Sequence, residues 1–227
     1  MSFKLPFFIL SISIFFFLTP PTSSQILGLD ISKYDTVDFN AVVNSGVEFV
    51  IIRVGSGRDM PDEKFESHYK NAKNVNLNVG AYYFSYELSA ADAANAAKNV
   101  IEQLEGKKFE YPIYYDIEWE EIFNLGKKKV SEIAAAFCDV LEKANYYCGI
   151  YSSLSFFDEY FTEEVKERYD MWIAAWDTDK PEGAMLWQFT NRGQSMVSGI
   201  TDDEDVDLNY DYVNYPPIIK DNHFNGY

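Results

Sequence analysis

The 227-residue sequence predicts an α/β fold: a single-domain, TIM-like barrel with about five β–α units plus three further strands. Three observations lead there. Strand-like and helix-like segments alternate from residue 25 to residue 153. The strand-like segments are continuously apolar, as in a parallel sheet covered on both faces. Eight strand candidates follow one another with no linker or low-complexity stretch between residues 25 and 215. A doubly wound open sheet is the alternative, and the missing G-x-G-x-x-G after the first strand counts against a dinucleotide site there.

The elements read in order. "QILGLDIS" is a short strand carrying Asp30 at its end. "VDFNAVVNSG" is a helix with Asp38 as N-cap and Gly46 as its stop. "VEFVIIRVG" is a β-branched strand, and "PDEKFESHYKNAKNVN" an amphipathic helix opened by Pro61. "LNVGAYYFSY" is the third strand; "SAADAANAAKNVIEQLEG" is a helix capped by Ser89 and closed by Gly106. "YPIYYDIEW" is the fourth strand, "KKVSEIAAAFCDVLEKAN" a helix and "YCGIYSS" the fifth strand. "YDMWIAAW", "AMLWQFT" and "VDLNY" are three terser strands with little helix between the last two. Residues 216–227 form a C-terminal tail expected to pack loosely.

Residues 1–24 stand apart. One Lys, an apolar stretch from Leu5 to Leu18, then Pro and small residues make a secretory signal peptide. The stretch is short for a membrane anchor and is interrupted by Pro6, Ser11 and Ser13. The expected location is outside the cell or in a lysosome- or phagosome-like compartment, with no membrane attachment after cleavage. The formal charge of −17 becomes one unit more negative with the loss of Lys4. Phosphate backbones would be repelled, so nucleic acid is excluded as a partner.

Cys138 and Cys148 are an even pair in a chain expected to be secreted, so a disulfide between the helix and the fifth strand is one reading and two buried thiols the other. Two Cys and two distant His, His68 and His223, do not make a metal site, and neither a metal nor a cofactor is expected. The acids at 203, 205 and 207 alternate, but Gly and Glu are absent from EF-hand positions, so a solvated loop is expected.

The chemistry points to carboxylates. Asp30 closes the first strand, Asp116 and Glu118 the fourth, and Asp207 lies in the last. In barrels of this kind chemistry gathers at strand C-termini. Side chains at i and i+2 of a strand share a face, with Cα atoms about 6.6 Å apart. Ionising one carboxyl raises the pKa of its neighbour, so one can stay protonated as a proton donor. Glycosidic bond cleavage needs that donor together with negative charge near the developing cation. No G-x-S-x-G and no Cys–His pair competes.

In order, "GLDISKY", "VGAYYF", "YYDIEW", "LWQFT" and "VDLNY" resemble the motifs of glycoside hydrolase family 25, the Chalaropsis-type lysozymes. The resemblance covers most of residues 26–212. It implies an N-acetylmuramidase that cuts the β-1,4 bond between N-acetylmuramic acid and N-acetylglucosamine in bacterial peptidoglycan; a monomer is expected. Glu118 would be the general acid. Asp116 would position the 2-acetamido group or stabilise positive charge, and Asp30 and Asp207 would complete the acidic mouth. Tyr82, Tyr151, Trp172, Trp187 and Gln188 would be sugar contacts, with core packing the competing role for each. One departure is Tyr83, where the family often has His; Tyr cannot become a cation near neutral pH. Retaining, inverting and acetamide-assisted routes all remain open, the last being favoured because Asp116 could orient that group. A chitinase-like glycosidase and a carbohydrate-binding barrel without catalysis are the alternatives.

Overall fold

The computed structural model describes residues 25–57, 60–201 and 205–227. The expected signal peptide and the acids at 202–204 lie outside them. Eight strands close into one barrel in chain order: β1 Ile26–Ile31, β2 Phe49–Ser56, β3 Asn78–Phe84, β4 Ile113–Asp116, β5 Cys148–Ser153, β6 Asp170–Ala174, β7 Ala184–Thr190 and β8 Asp207–Asp211. Helices α1 Phe39–Asn44, α2 Phe65–Asn74, α3 Ala90–Leu104, α4 Glu120–Phe123, α5 Lys127–Lys143, α6 Leu154–Tyr160 and α7 Glu163–Arg168 fill the connections as far as β6, and α8 Tyr215–Asp221 follows β8.

Two buried layers explain the continuously apolar strands. One residue set, including Val50, Val79, Ile113, Ile150 and Ile173, faces outward into a cluster with Ala97 of α3 and Phe137 of α5. The alternate set, including Phe49, Ile51, Tyr114, Tyr151, Trp172 and Leu186, fills the barrel interior. Strands buried on both faces have no polar register to display. Glycine makes room for the interior rings: a Cβ on Gly28 would lie 2.2 Å from the Phe49 ring, and one on Gly149 2.5 Å from Tyr114. Local signals hold as read at two helix starts. Asp38 accepts from the Asn40 and Ala41 amides at 3.0 and 3.3 Å, and Ser89 from the Asp92 amide at 3.1 Å. Each such cap is worth about 1 kcal/mol.

Three expectations need correction. The second helix starts at Phe65 rather than at Pro61. Asp62 is drawn away from a helical turn: it takes the Arg53 guanidinium at 2.8 Å and the Lys33 and Lys64 amides at 3.0 Å. The sheet is not wholly parallel, since β8 runs antiparallel to both β7 and β1. The reversal needs no crossover helix, and among the described residues only a 3-10 turn at Gly193–Ser195 lies between β7 and β8.

The third correction concerns the C-terminal residues, which do not pack loosely. Tyr215, Ile219 and Asn225 are fully buried. Asn225 accepts the Tyr147 amide at 2.7 Å and donates to the Tyr111 carbonyl at 2.8 Å, while its own carbonyl takes the Phe109 amide at 3.1 Å. The tail therefore stoppers the end of the barrel opposite the β4 C-terminus, because backbone groups there would otherwise be buried without partners.

Cys138 and Cys148 are disulfide-bonded, joining α5 to β5. Among the described residues no helix is long and apolar enough to cross a membrane.

Candidate active site

The four acids meet at one mouth. Asp30 and Asp116 reach it from the C-terminal ends of β1 and β4. Asp207 is the first residue of β8, and the antiparallel direction of that strand brings its start to the same end. Asp207 pairs in register with Asp30. The ladder of β4 ends at Asp116, yet the chain stays extended beside β5: the Ile117 amide donates to the Tyr151 carbonyl at 3.0 Å, and Ser152 Oγ donates to the Ile117 carbonyl at 2.6 Å. The alternation thus continues past the strand. Ile117 turns outward into the core, and Glu118 returns to the mouth.

A polar network holds the first pair. Asp30 Oδ2 accepts from Asn209 Nδ2 at 2.8 Å and from Gln188 Nε2 at 3.1 Å. The same Gln188 nitrogen donates to Asp207 Oδ2 at 3.2 Å. Both amides are held in orientation from behind. Trp172 Nε1 donates to Asn209 Oδ1 at 2.7 Å, and Tyr151 Oη to Gln188 Oε1 at 3.0 Å. Asp116 differs: its Oδ1 is buried and without a hydrogen-bond partner.

Burial and mutual repulsion govern the protonation of this mouth. Burial is the largest cause for every one of the four. It pushes Asp30 up to about 7, resisted by the Asn209 and Gln188 hydrogen bonds and reinforced by the Asp35 and Glu118 charges. Asp207 is pushed up to about 9, with the Asp30 charge the next cause. Asp116 is held well above the carboxylate range by burial, then by Glu118 and Asp30, while Arg53 opposes. Glu118 is also raised, although its side chain is open to solvent: it stands in a concave mouth whose walls displace much of its water. Protonated carboxyls near neutral pH are therefore available as proton donors.

The structure sorts the remaining expected contacts. Tyr82 and Tyr151 feel the charges of Asp30 and Asp116 and line the mouth with Gln188. Trp172 is 1% exposed and lies beneath them, so it orients Asn209 instead of offering a surface. Trp187 is not at the mouth. Its ring packs outside the barrel near Phe189 and Tyr210, and its Nε1 donates to the Ala175 carbonyl at 2.8 Å. Neighbouring strand residues point to opposite faces, so Gln188 inward requires Trp187 outward. Tyr83 likewise faces outward, donating to Glu87 Oε1 at 2.7 Å.

Three residues of the mouth are not among those expected from the sequence. Asn209 lies two residues beyond Asp207, the same spacing that singles out Asp116 and Glu118, so its signal is present. Arg53 is legible as a lone cation in an apolar strand. Trp176 follows β6 and gives no signal.

A pocket of about 170 Å³ opens beside Asp30 and Asp207, walled by Tyr34, Asp35, Tyr82 and Asp205. A larger one, about 260 Å³, lies at the stoppered end by Tyr147, Asp170 and Phe224 and contains none of the four acids. Among the described residues no group of three or more His, Cys, Asp or Glu is placed to hold a metal ion.

Comparison with known proteins agrees with this architecture. The model of glycosyl hydrolases family 25 matches residues 29–198. The chain belongs to that family. The family 25 segment includes half of β1, all of β2 through β7 and three of the four mouth acids. The autolytic lysozyme of Clostridium acetobutylicum is 29% identical over 186 residues, which are 79% of this chain and 54% of that protein. The N,O-diacetylmuramidase of Arthroderma benhamiae is 35% identical over 72 residues, 31% of each chain. This chain thus spans about half the length of the first relative and less of the second. The bacterial lysozyme of Streptomyces coelicolor has the same fold, with a TM-score of 0.68 at 22% identity over 82% of this chain and 92% of that one.

Proposed function

We propose that this chain is a lysozyme-like muramidase that hydrolyses the β-1,4 bond between N-acetylmuramic acid and N-acetylglucosamine in bacterial peptidoglycan, working as a monomer outside the cytoplasm or in a lysosome- or phagosome-like compartment. The observation that carries the reading is the convergence of four carboxyl groups from β1, the β4 exit and β8 on one barrel mouth. Family membership and the lysozyme and muramidase relatives support the substrate class.

Of the four, Glu118 is the acid open to solvent, so it can reach a glycosidic oxygen. Burial raises its pKa, which favours the protonated form that the leaving oxygen needs. Proton transfer leaves Glu118 as a carboxylate, so the mouth gains negative charge as the sugar carbon gains positive charge. Asp116, behind it, orients the 2-acetamido group, whose oxygen attacks that carbon. Water then completes hydrolysis, with Glu118 recovering its proton. Gln188 and Asn209 keep Asp30 and Asp207 at fixed positions toward the substrate.

The test is turbidity clearing of purified peptidoglycan by the chain and by Glu118→Gln, with the new reducing ends identified. Clearing with N-acetylmuramic acid ends, reduced at least about 100-fold in the variant, is expected. Retention of the folded protein on the glycan without any release would instead favour a binding module.

A further inference from the structure

The exposed Trp176 carries an inference that deepens the proposed function and rests on it. Its indole is 45% exposed. Single exposed aromatics are ordinary on protein surfaces, but this ring is tied down at its polar edge. Its Nε1 donates to Gln188 Oε1 at 3.2 Å, the same oxygen that takes the Tyr151 hydroxyl. The Gln188 amide nitrogen in turn bonds Asp30 and Asp207. The backbone before the ring is held as well: the Ala175 amide donates to the Gln188 carbonyl at 3.1 Å, and the Ala175 carbonyl accepts Trp187 Nε1.

An indole anchored along its N–H edge and nearly half exposed holds its solvent-facing part in one orientation. The C–H-rich face of a pyranose ring covers such a surface well, because both are apolar, flat and costly to hydrate. The ring is ordered before the sugar arrives, so little rotamer entropy remains to be lost on binding. Among the other large exposed side chains, Leu88, Leu125, Met185 and Met196 have no group that could donate to the acid network. Tyr34 is also exposed, but its ring faces the Lys33 and Arg53 cations at 5.4 and 5.2 Å from its centroid.

We infer that Trp176 is a stacking platform for one N-acetylated sugar of the glycan strand, placed beside Asp30 and Asp207 by its bond to Gln188. It is a binding residue and takes no part in bond cleavage. Its indole N–H also links occupancy of that sugar site to the Gln188 amide.

The experiment uses the Glu118→Gln chain, so that binding is read without turnover, with the N-acetylglucosamine tetramer as probe and the heat of binding, by titration calorimetry, as signal. Adding Trp176→Ala should weaken binding about tenfold, and Trp176→Phe, which keeps a ring, about threefold or less. In the active chain Trp176→Ala should raise KM for peptidoglycan about tenfold with kcat changed less than about threefold. Should Trp176→Ala not fold, Trp176→Leu, which keeps the bulk without the flat ring, takes its place: tetramer binding about tenfold weaker is expected, and unchanged binding overturns the platform. If the active chain releases N-acetylmuramic acid ends while Trp176→Ala keeps its KM, the platform is overturned and the muramidase reading stands. If neither release nor tetramer binding occurs, both are overturned.

Discussion

Asp30 and Asp207 face each other across the antiparallel β1–β8 pair and share one donor, the Gln188 side-chain nitrogen, at 3.1 and 3.2 Å. Two carboxyls so close favour states in which at least one is protonated.

Stability should therefore fall as pH rises. Asp30 and Asp207 have folded-state values near 7 and 9, above the ordinary 3.8. Between those limits the folded chain binds more protons than the unfolded one. The stabilisation is complete below the unfolded value and is lost as pH climbs toward the folded ones. Urea denaturation at pH 5, 7 and 9 should show a decline of at least about 1 kcal/mol from pH 5 to 9. Asp207→Asn should flatten it. An unchanged slope in that variant would remove Asp207 as a contributor.

Gln188→Met keeps the approximate volume and removes the shared donor. Its hydrogen bond lowers the Asp30 pKa, so its loss should raise it. The titration of Asp30, followed by carboxyl infrared difference spectroscopy, should move to higher pH, with kcat/KM at the optimum down about tenfold or more. A stability loss of about 1–3 kcal/mol accompanies this, because Tyr151 Oη loses its acceptor in a buried site. An Asp30 titration that stays in place would show that the Gln188 bond does not hold its pKa down.

Asn225→Ala should cost about 2–4 kcal/mol, since the Tyr147 amide and the Tyr111 carbonyl both lose buried partners. Residual activity at 25 °C should survive, as these bonds lie at the end away from the acids. Thermal melting alongside an activity assay checks both halves. A melting temperature unaffected by the change would mean that the stopper contributes nothing.

Replacing Cys138 and Cys148 together by Ala should lower stability by about 3 kcal/mol on loop-closure grounds for a 10-residue separation. Activity at 25 °C should persist, because Tyr151 is held by strand pairing on both sides of β5. Denaturant midpoints of the two proteins decide it.

Apolar runs such as "VEFVIIRVG" do not place the acids; strand ends do. "GLD" and "YYDIE" are legible because a buried strand that ends in carboxyls breaks its own pattern within a few residues. Helix caps at Asp38 and Ser89 are legible for the same local reason. Asn209 is within reach of the same period-two argument, but a neutral amide does not stand out by charge.

By itself, then, the sequence determines the order of the eight strands and of helices α1, α2, α3 and α5, the α/β class and the four acids, since hydrophobic pattern, caps and charge act over a turn or a strand. Tertiary structure alone decides the direction of β8, the docking of the tail, and that Trp176 is tied to the acid network while Trp187 packs outside the barrel. Those depend on which face of each strand turns inward when the barrel closes. That choice is made by contacts between residues far apart in the chain, such as Asp30 with Asp207 and Asn225 with Tyr111.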